Sequence, residues 1–291
     1  MSEAPTPVTR TPLFTAQHSE RYARQDLVRR YQELTGANLI VMIDQIFPDN
    51  MTYLEELLHP LERSKPLHVM LASPGGDGET AIRIVRALQA RCSDLTILLP
   101  DMAKSAATIL CLGADRIIFG PGGDLGPVDP QMRYPNGTLA SAKELVEAVD
   151  EAERRITANP NTYPLFANLL AEVTMIMVEQ ARSALARSGA LVREALSAAT
   201  GRTSEVVDTL ASALQLPLID EPTSHSAVIG CDAAKSFGLP AESAAPDSVE
   251  WALVWALWTR YFAMGAFPVG PVAIYEGDRA SQIILPTPGR P

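Results

Sequence analysis

Leu67-His-Val-Met-Leu-Ala-Ser-Pro-Gly-Gly-Asp77 is an apolar run that breaks into a glycine turn. Leu95-Thr-Ile-Leu-Leu-Pro-Asp-Met-Ala-Lys-Ser-Ala-Ala107 repeats the scheme with a serine at the break. Short continuous apolar runs bounded by turn residues read as strands buried on both faces. Between the two, residues 80–89 place Ile84, Ala87 and Leu88 on one helical face. The rhythm continues outward, with strands expected at 38–44 and 115–119 and helices at 52–61 and 102–112. Such alternation implies parallel strands joined by right-handed crossovers, an α/β fold with repeated βα units. Adjacent parallel strands bring both turns to one sheet edge, where open α/β sheets bind ligands.

The rest of the chain has a different texture. Residues 1–17, with Pro5, Pro7 and Pro12, read as an extended N-terminal arm, and 19–34 as a helix stopped by Gly36. Residues 141–158 and about 164–215 carry Ala, Leu, Glu and Arg at helical spacing, giving a helical C-terminal half. Breaks are expected at Asn159-Pro-Asn161 and Gly189. A short helix at 232–237 precedes a helix at 250–259 that is apolar on nearly all sides. The last twenty or so residues, with several prolines, read as a tail. The expected organisation is an arm (1–17), one α/β domain (18–245) with a helical insertion at about 141–215, and a C-terminal helix and tail (246–291).

The formal net charge of −10 argues against nucleic-acid binding, which needs a basic footprint to displace counterions. Cys92, Cys111 and Cys231 have no paired spacing and fit free thiols in a reducing compartment. Neither a cofactor nor a metal is expected, since no carboxylate–histidine or EF-hand spacing occurs. No basic-then-apolar leader opens the chain and no run of about 18 apolar residues interrupts it. A cytoplasmic protein without membrane association is the expectation.

Glycines in Ser73-Pro-Gly-Gly76 let the backbone turn sharply and leave N–H groups uncovered, so the Gly76 amide can face a developing oxyanion. Ser105 stands among Ala103, Ala106 and Ala107, which leave its hydroxyl accessible and put the Ala106 amide beside it. Taken singly, the first is an ordinary strand-to-helix turn and the second a helix N-cap. Together, 105 − 76 = 29 residues apart, they fit one helix, one strand and a return to the same edge.

These two segments, with Leu125-Gly-Pro-Val-Asp-Pro-Gln131, resemble the Clp-protease/crotonase-like fold. Within it they resemble the serine dehydrogenase proteinase family, related to the Clp protease proteolytic subunit and to signal peptide peptidase A. Thr11-Pro-Leu-Phe14 and Ser224-His225 are weaker echoes, so the resemblance spans roughly residues 10–240. It implies a serine peptidase with Ser105 as nucleophile and the Gly76 and Ala106 amides as oxyanion hole. It also implies a peptide or protein substrate and a homo-oligomer. Gly75, Asp77, Lys104 and Asp129 are expected beside the substrate, Asp129 by holding the geometry of its loop.

A serine hydroxyl needs a base. The Clp protease uses a histidine downstream of its serine, but here no histidine lies between Ser105 and His225. Related signal peptide peptidases use a lysine, which makes Lys143 the first candidate and His225 the second. The plainer reading of Lys143 is a solvated residue on an amphipathic helix beside Glu144 and Glu147. Two other functions stay open: a crotonase-like acyl-CoA enzyme, and a catalytically inactive assembly or scaffold protein.

Overall fold

The computed structural model describes residues 10–133, 137, 139–220 and 227–286. Thr11 caps helix α1 (Pro12–Gln17), with Pro12 in the first turn, where its missing N–H leaves nothing unsatisfied. Residues 12–17, expected to be extended, are therefore helical. Helix α2 (Ser19–Thr35) stops at Gly36, whose φ of +72° suits a residue without Cβ. There follow β1 (Asn38–Ile43), α3 (Asn50–Leu58), β2 (Leu67–Ala72), α4 (Gly78–Gln89) and β3 (Leu95–Leu99).

Met102–Ala103 is a short strand, β4, and the helix expected from residue 102 begins only at α5 (Ala106–Leu112). The reason is pairing: Ser73 N–H donates to the Met102 carbonyl and Lys104 N–H to the Ser73 carbonyl, both at 3.0 Å. Next come β5 (Arg116–Phe119), β6 (Asp124–Leu125), β7 (Gln131–Arg133) and β8 (Leu139–Ser141). The helical stretch comprises α6 (Ala142–Ala158), α7 (Tyr163–Leu169), α8 (Met175–Leu196) and α9 (Ser204–Gln215), ending in a wide turn at Leu216–Asp220. Gly189 does not break α8. Its neighbours Ser188, Leu191 and Val192 are buried, and that packing outweighs the roughly 1 kcal/mol helix penalty of glycine. The chain closes with α10 (Cys231–Ser236), β9 (Ala241–Ser243), α11 (Val249–Ala263), β10 (Ala273–Glu276) and β11 (Ser281–Ile284).

The main sheet has the order β11-β10-β1-β2-β3-β5-β9. Its strands from β1 to β9 run parallel, whereas β10 pairs antiparallel with β1 and β11 antiparallel with β10. The segment expected to be a tail is thus a hairpin within the sheet. Pro268, Pro271 and Pro286 lie outside its strands, where a missing N–H breaks no ladder bond.

Strand alternation divides the core. Ile40, Met42, Val69, Leu71 and Ile97 pack under α3, α4, α5, α8 and α9. Leu39, Val41, Ile43, Met70 and Leu98 face α2 and α11. Each fully buried Leu or Ile stabilises the fold by about 1.5–3 kcal/mol. Across the second face Glu276, fully buried, accepts from Arg24 Nε at 2.6 Å and from Tyr261 Oη at 2.8 Å, tying β10 to α2 and α11. No helix among the described residues is long and apolar enough to cross a membrane.

Candidate active site

Past the end of β2 the chain leaves the main sheet and joins a second, narrower ribbon. Gly75 and Gly76 have φ of +100° and +141°. Ile46 clamps them: its N–H donates to the Gly75 carbonyl at 2.8 Å and its carbonyl accepts from Asp77 N–H at 2.7 Å. On the other side Ser73 pairs with Ala103, Met102–Ala103 with Asp124–Leu125, and Leu125 with Ile229. No side chain fits at either glycine. A Cβ on Gly76 would stand 2.2 Å from the Ile46 carbonyl oxygen, and one on Gly75 would stand 2.7 Å from the Ser105 Cβ. The Ser73 hydroxyl, fully buried, accepts from Gly75 N–H at 3.1 Å and fixes the turn. Asp77 then caps α4, its carboxylate accepting from the Thr80 amide and hydroxyl.

Ser105 lies directly against this turn. Its backbone takes φ +52° and ψ −117°, and among the described residues it alone has a positive φ without being glycine. Such a conformation is strained in a residue carrying a Cβ and persists only where its surroundings impose it. Behind it every residue of α5 is buried. Ser105 itself is half-buried and makes no capping bond with its side chain. The Gly76 and Ala106 amides find no acceptor among the described residues. Two unpaired donors beside an accessible hydroxyl form an arrangement that can stabilise a tetrahedral oxyanion.

Lys104 points away from this hydroxyl. It precedes α5 rather than lying on a helix, and its buried ammonium meets Asp124 at 2.6 Å, by proximity more than by alignment. The same ammonium donates to the carbonyls of Leu125 at 3.2 Å and Ala227 at 3.3 Å. Thr108 completes the anchoring of the loop after β6. Its hydroxyl donates to the Ala103 and Gly126 carbonyls, both at 2.9 Å, and accepts from Gly126 N–H at 3.1 Å. A Cβ on Gly126 would strike the Lys104 side chain at 2.5 Å. Farther along, Asp129 is buried and accepts from Gln131 Nε2 at 2.9 Å. Val128 N–H donates to the Leu218 carbonyl at 2.8 Å, so the loop also touches the wide turn after α9.

Lys143 stands in the first turn of α6, which Ser141 and Glu144 close with a capping box. Its ammonium donates to the Asp220 carbonyl and lies 3.7 Å from the Glu147 carboxylate. Leu185 and Ile219 wall the same cavity of about 320 Å³. The structure therefore unites Gly75, Gly76, Ser105 and Ala106, but puts no bond between Lys143 and Ser105. His225 lies outside the described residues. His68, on β2, is bonded to Tyr31 Oη at 2.7 Å, and His18 is bonded to the Phe14 carbonyl. Among the described residues, no cluster of three or more His, Cys, Asp or Glu side chains could hold a metal ion. Ile46 and Ser73 were not singled out from sequence as site residues, and nothing local marks them. Thr108 lies within the quoted serine segment, where only its proximity hinted at a role.

A protein of Methanocaldococcus jannaschii described as uncharacterized protein MJ0137 is 27% identical over 199 residues, covering 67% of this chain and 61% of that protein. A second from the same organism, MJ1495, is 26% identical over 132 residues, 40% of this chain and 44% of that protein. The chain thus spans about three fifths or less of these relatives' length. Among solved structures, a serine-to-alanine mutant of the 1510-N membrane-bound stomatin-specific protease shares 18% identity, with a TM-score of 0.42 over 73% of this chain and 80% of that one. The ClpP protease catalytic domain of Plasmodium falciparum shares 11% identity, with a TM-score of 0.38 over 82% of this chain and 93% of that one. The family model for ClpP-like SDH-type serine proteinases matches residues 11–254, most of the sequence. The chain belongs to that family.

Proposed function

We propose that the protein is a serine peptidase that cleaves peptide bonds through an acyl-enzyme on Ser105. The observation that carries this reading is the strained backbone of Ser105, held against Gly75 with two unpaired amides beside it. A buried serine with a structural task would use its hydroxyl to cap its helix; this one does not. Lys143 is the general base. Its amine exchanges the Asp220 carbonyl for the Ser105 hydroxyl and takes that proton as Oγ bonds to the substrate carbonyl carbon. The oxyanion accepts from the Gly76 and Ala106 amides. Collapse breaks the C–N bond, the proton passes to the leaving amine, and water then hydrolyses the ester. Gly75 lies along the substrate backbone. Asp77, Lys104 and Asp129 act as positioning residues, through the α4 cap, the Asp124 pair and the loop after β6. One chain, ordered as an arm, a hydrolase domain and a C-terminal segment, acts on peptide or protein substrate as a homo-oligomer.

A fluorophosphonate probe tests this in the full-length protein. Wild type is expected to be labelled, Ser105→Ala not at all, and Lys143→Ala about 10²–10⁴ times more slowly. Undiminished labelling of Ser105→Ala would remove the nucleophile. Normal labelling of Lys143→Ala together with loss in His225→Ala would move the base to His225.

A further inference from the structure

All three tryptophans of the chain, Trp251, Trp255 and Trp258, lie on α11 and line one cavity of about 670 Å³. Its other walls include Pro100 and Pro121, just beyond the ends of β3 and β5. The cavity opens beside α11, across the sheet from the helices that pack behind Ser105. Its volume falls in the range of small-molecule sites. A single charged residue, Asp101, is among its lining residues.

That carboxylate is not neutralised. Asp101 and Asp124 are close enough to feel each other's charge, and the one ammonium between them, Lys104, is committed to Asp124 at 2.6 Å. Asp101 accepts only the Met102 amide and has no ion-pair partner among the described residues. Two carboxylates against one ammonium leave a negative charge at the wall of an aromatic cavity. Burial first, and the Asp124 charge after it, hold the Asp101 carboxyl above its ordinary range, against the Met102 amide and the Lys104 charge, which pull it down.

Aromatic faces attract cations through the ring quadrupole, tryptophan most strongly, and a desolvated carboxylate adds Coulombic attraction. An anion would meet the Asp101 charge with no cationic side chain among the lining residues to offset it. A neutral apolar ligand would leave that charge buried and unpaired. We propose that the α11 cavity is a binding site for an organic cation of the alkylated-ammonium class, held by tryptophan faces and the Asp101 carboxylate. The ammonium supplies the missing charge while its methyl groups take the apolar walls.

Because all three tryptophans lie on α11, tryptophan fluorescence reports on that helix, and Trp255 and Trp258 on this cavity. Titrating the full-length protein with choline is expected to give a saturable change, with 3,3-dimethylbutan-1-ol, its neutral isostere, binding at least about ten-fold more weakly. Asp101→Asn is expected to weaken choline by a similar factor. Since Asp101 also holds the Met102 amide, Trp255→Ala, at a position 49% exposed, is the second variant. It should weaken choline, and Trp255→Phe should restore part of the affinity. An acetylated trimethyllysine methylamide in place of choline distinguishes a peptide-borne cation, if it binds more tightly, from a free one. A linear, non-saturating response would overturn the assignment. Equal binding of the neutral isostere, or unchanged affinity in both Asp101→Asn and Trp255→Ala, would do the same.

Discussion

At Ser105 the chain keeps a side chain where glycine would rest more easily. A non-glycine residue in so sparsely populated a region costs on the order of 1–3 kcal/mol. Ser105→Gly removes that strain, at an entropic cost of roughly 0.5–1 kcal/mol. It should therefore be about 1 kcal/mol more stable than Ser105→Ala by urea denaturation, with probe labelling lost in both. His68 gives a second outcome at this scale. Burial, helped by the Arg116 charge, lowers its pKa from 6.5 to about 4. The folded state then binds fewer protons than the unfolded one between those values, so the stability His68 contributes is whole above pH 6.5 and lost as pH falls towards 4. The loss should reach up to about 3 kcal/mol, and His68→Gln should flatten the stability profile across that window. Sequence could mark the serine, because small neighbours on both sides are local. It could not mark Ile46, whose part depends on two hydrogen bonds to a turn far along the chain.

Among the elements, α5 is joined by one side chain, Thr108, to the loop after β6 through two hydrogen bonds with Gly126 and to β4 through a third with Ala103. Thr108→Val keeps the shape and leaves two carbonyls and one amide without that partner. A destabilisation of about 2–3 kcal/mol in chemical denaturation, with slower probe labelling, is expected. Thr108→Ser should restore both. The strands β1, β2 and β3 could be read from sequence because each is a mostly apolar run buried on both faces, and β5 because Ile117, Ile118 and Phe119 follow one another. By contrast β4 and β6 are two residues long and exist only through their pairing, so Met102 and Ala103 passed for helix. The last hairpin hid behind its flanking prolines, although Ile274 and Tyr275 are fully buried. Lys143 is a candidate only through the resemblance to peptidases that use a lysine, and its contact with Asp220 is a long-range event that no local pattern announces.

On the scale of the molecule, the family match ends at residue 254, yet the sheet does not. A chain cut after Gly270 would lose β10 and β11, bare the edge of β1 and leave Arg24 buried without Glu276. Removing one partner of such a pair alone costs about 3–5 kcal/mol. The truncated protein is expected to be insoluble, or to lose its cooperative thermal transition by circular dichroism.

Tyr275 on β10 reaches further than its strand. Its hydroxyl donates to Asp44 at 2.8 Å, and Asp44 in turn accepts from Asn50 at 3.1 Å, while Asn50 accepts from Phe47 N–H. The loop so braced carries Ile46, the clamp on Gly75 and Gly76. During translation, residues 44–50 and the serine emerge long before Tyr275. A ribosome-bound chain therefore holds every group of the candidate site without the brace that sets its geometry. If the brace is needed for cleavage, a nascent peptidase stays harmless to its neighbours, and to itself, until β10 has been made and paired.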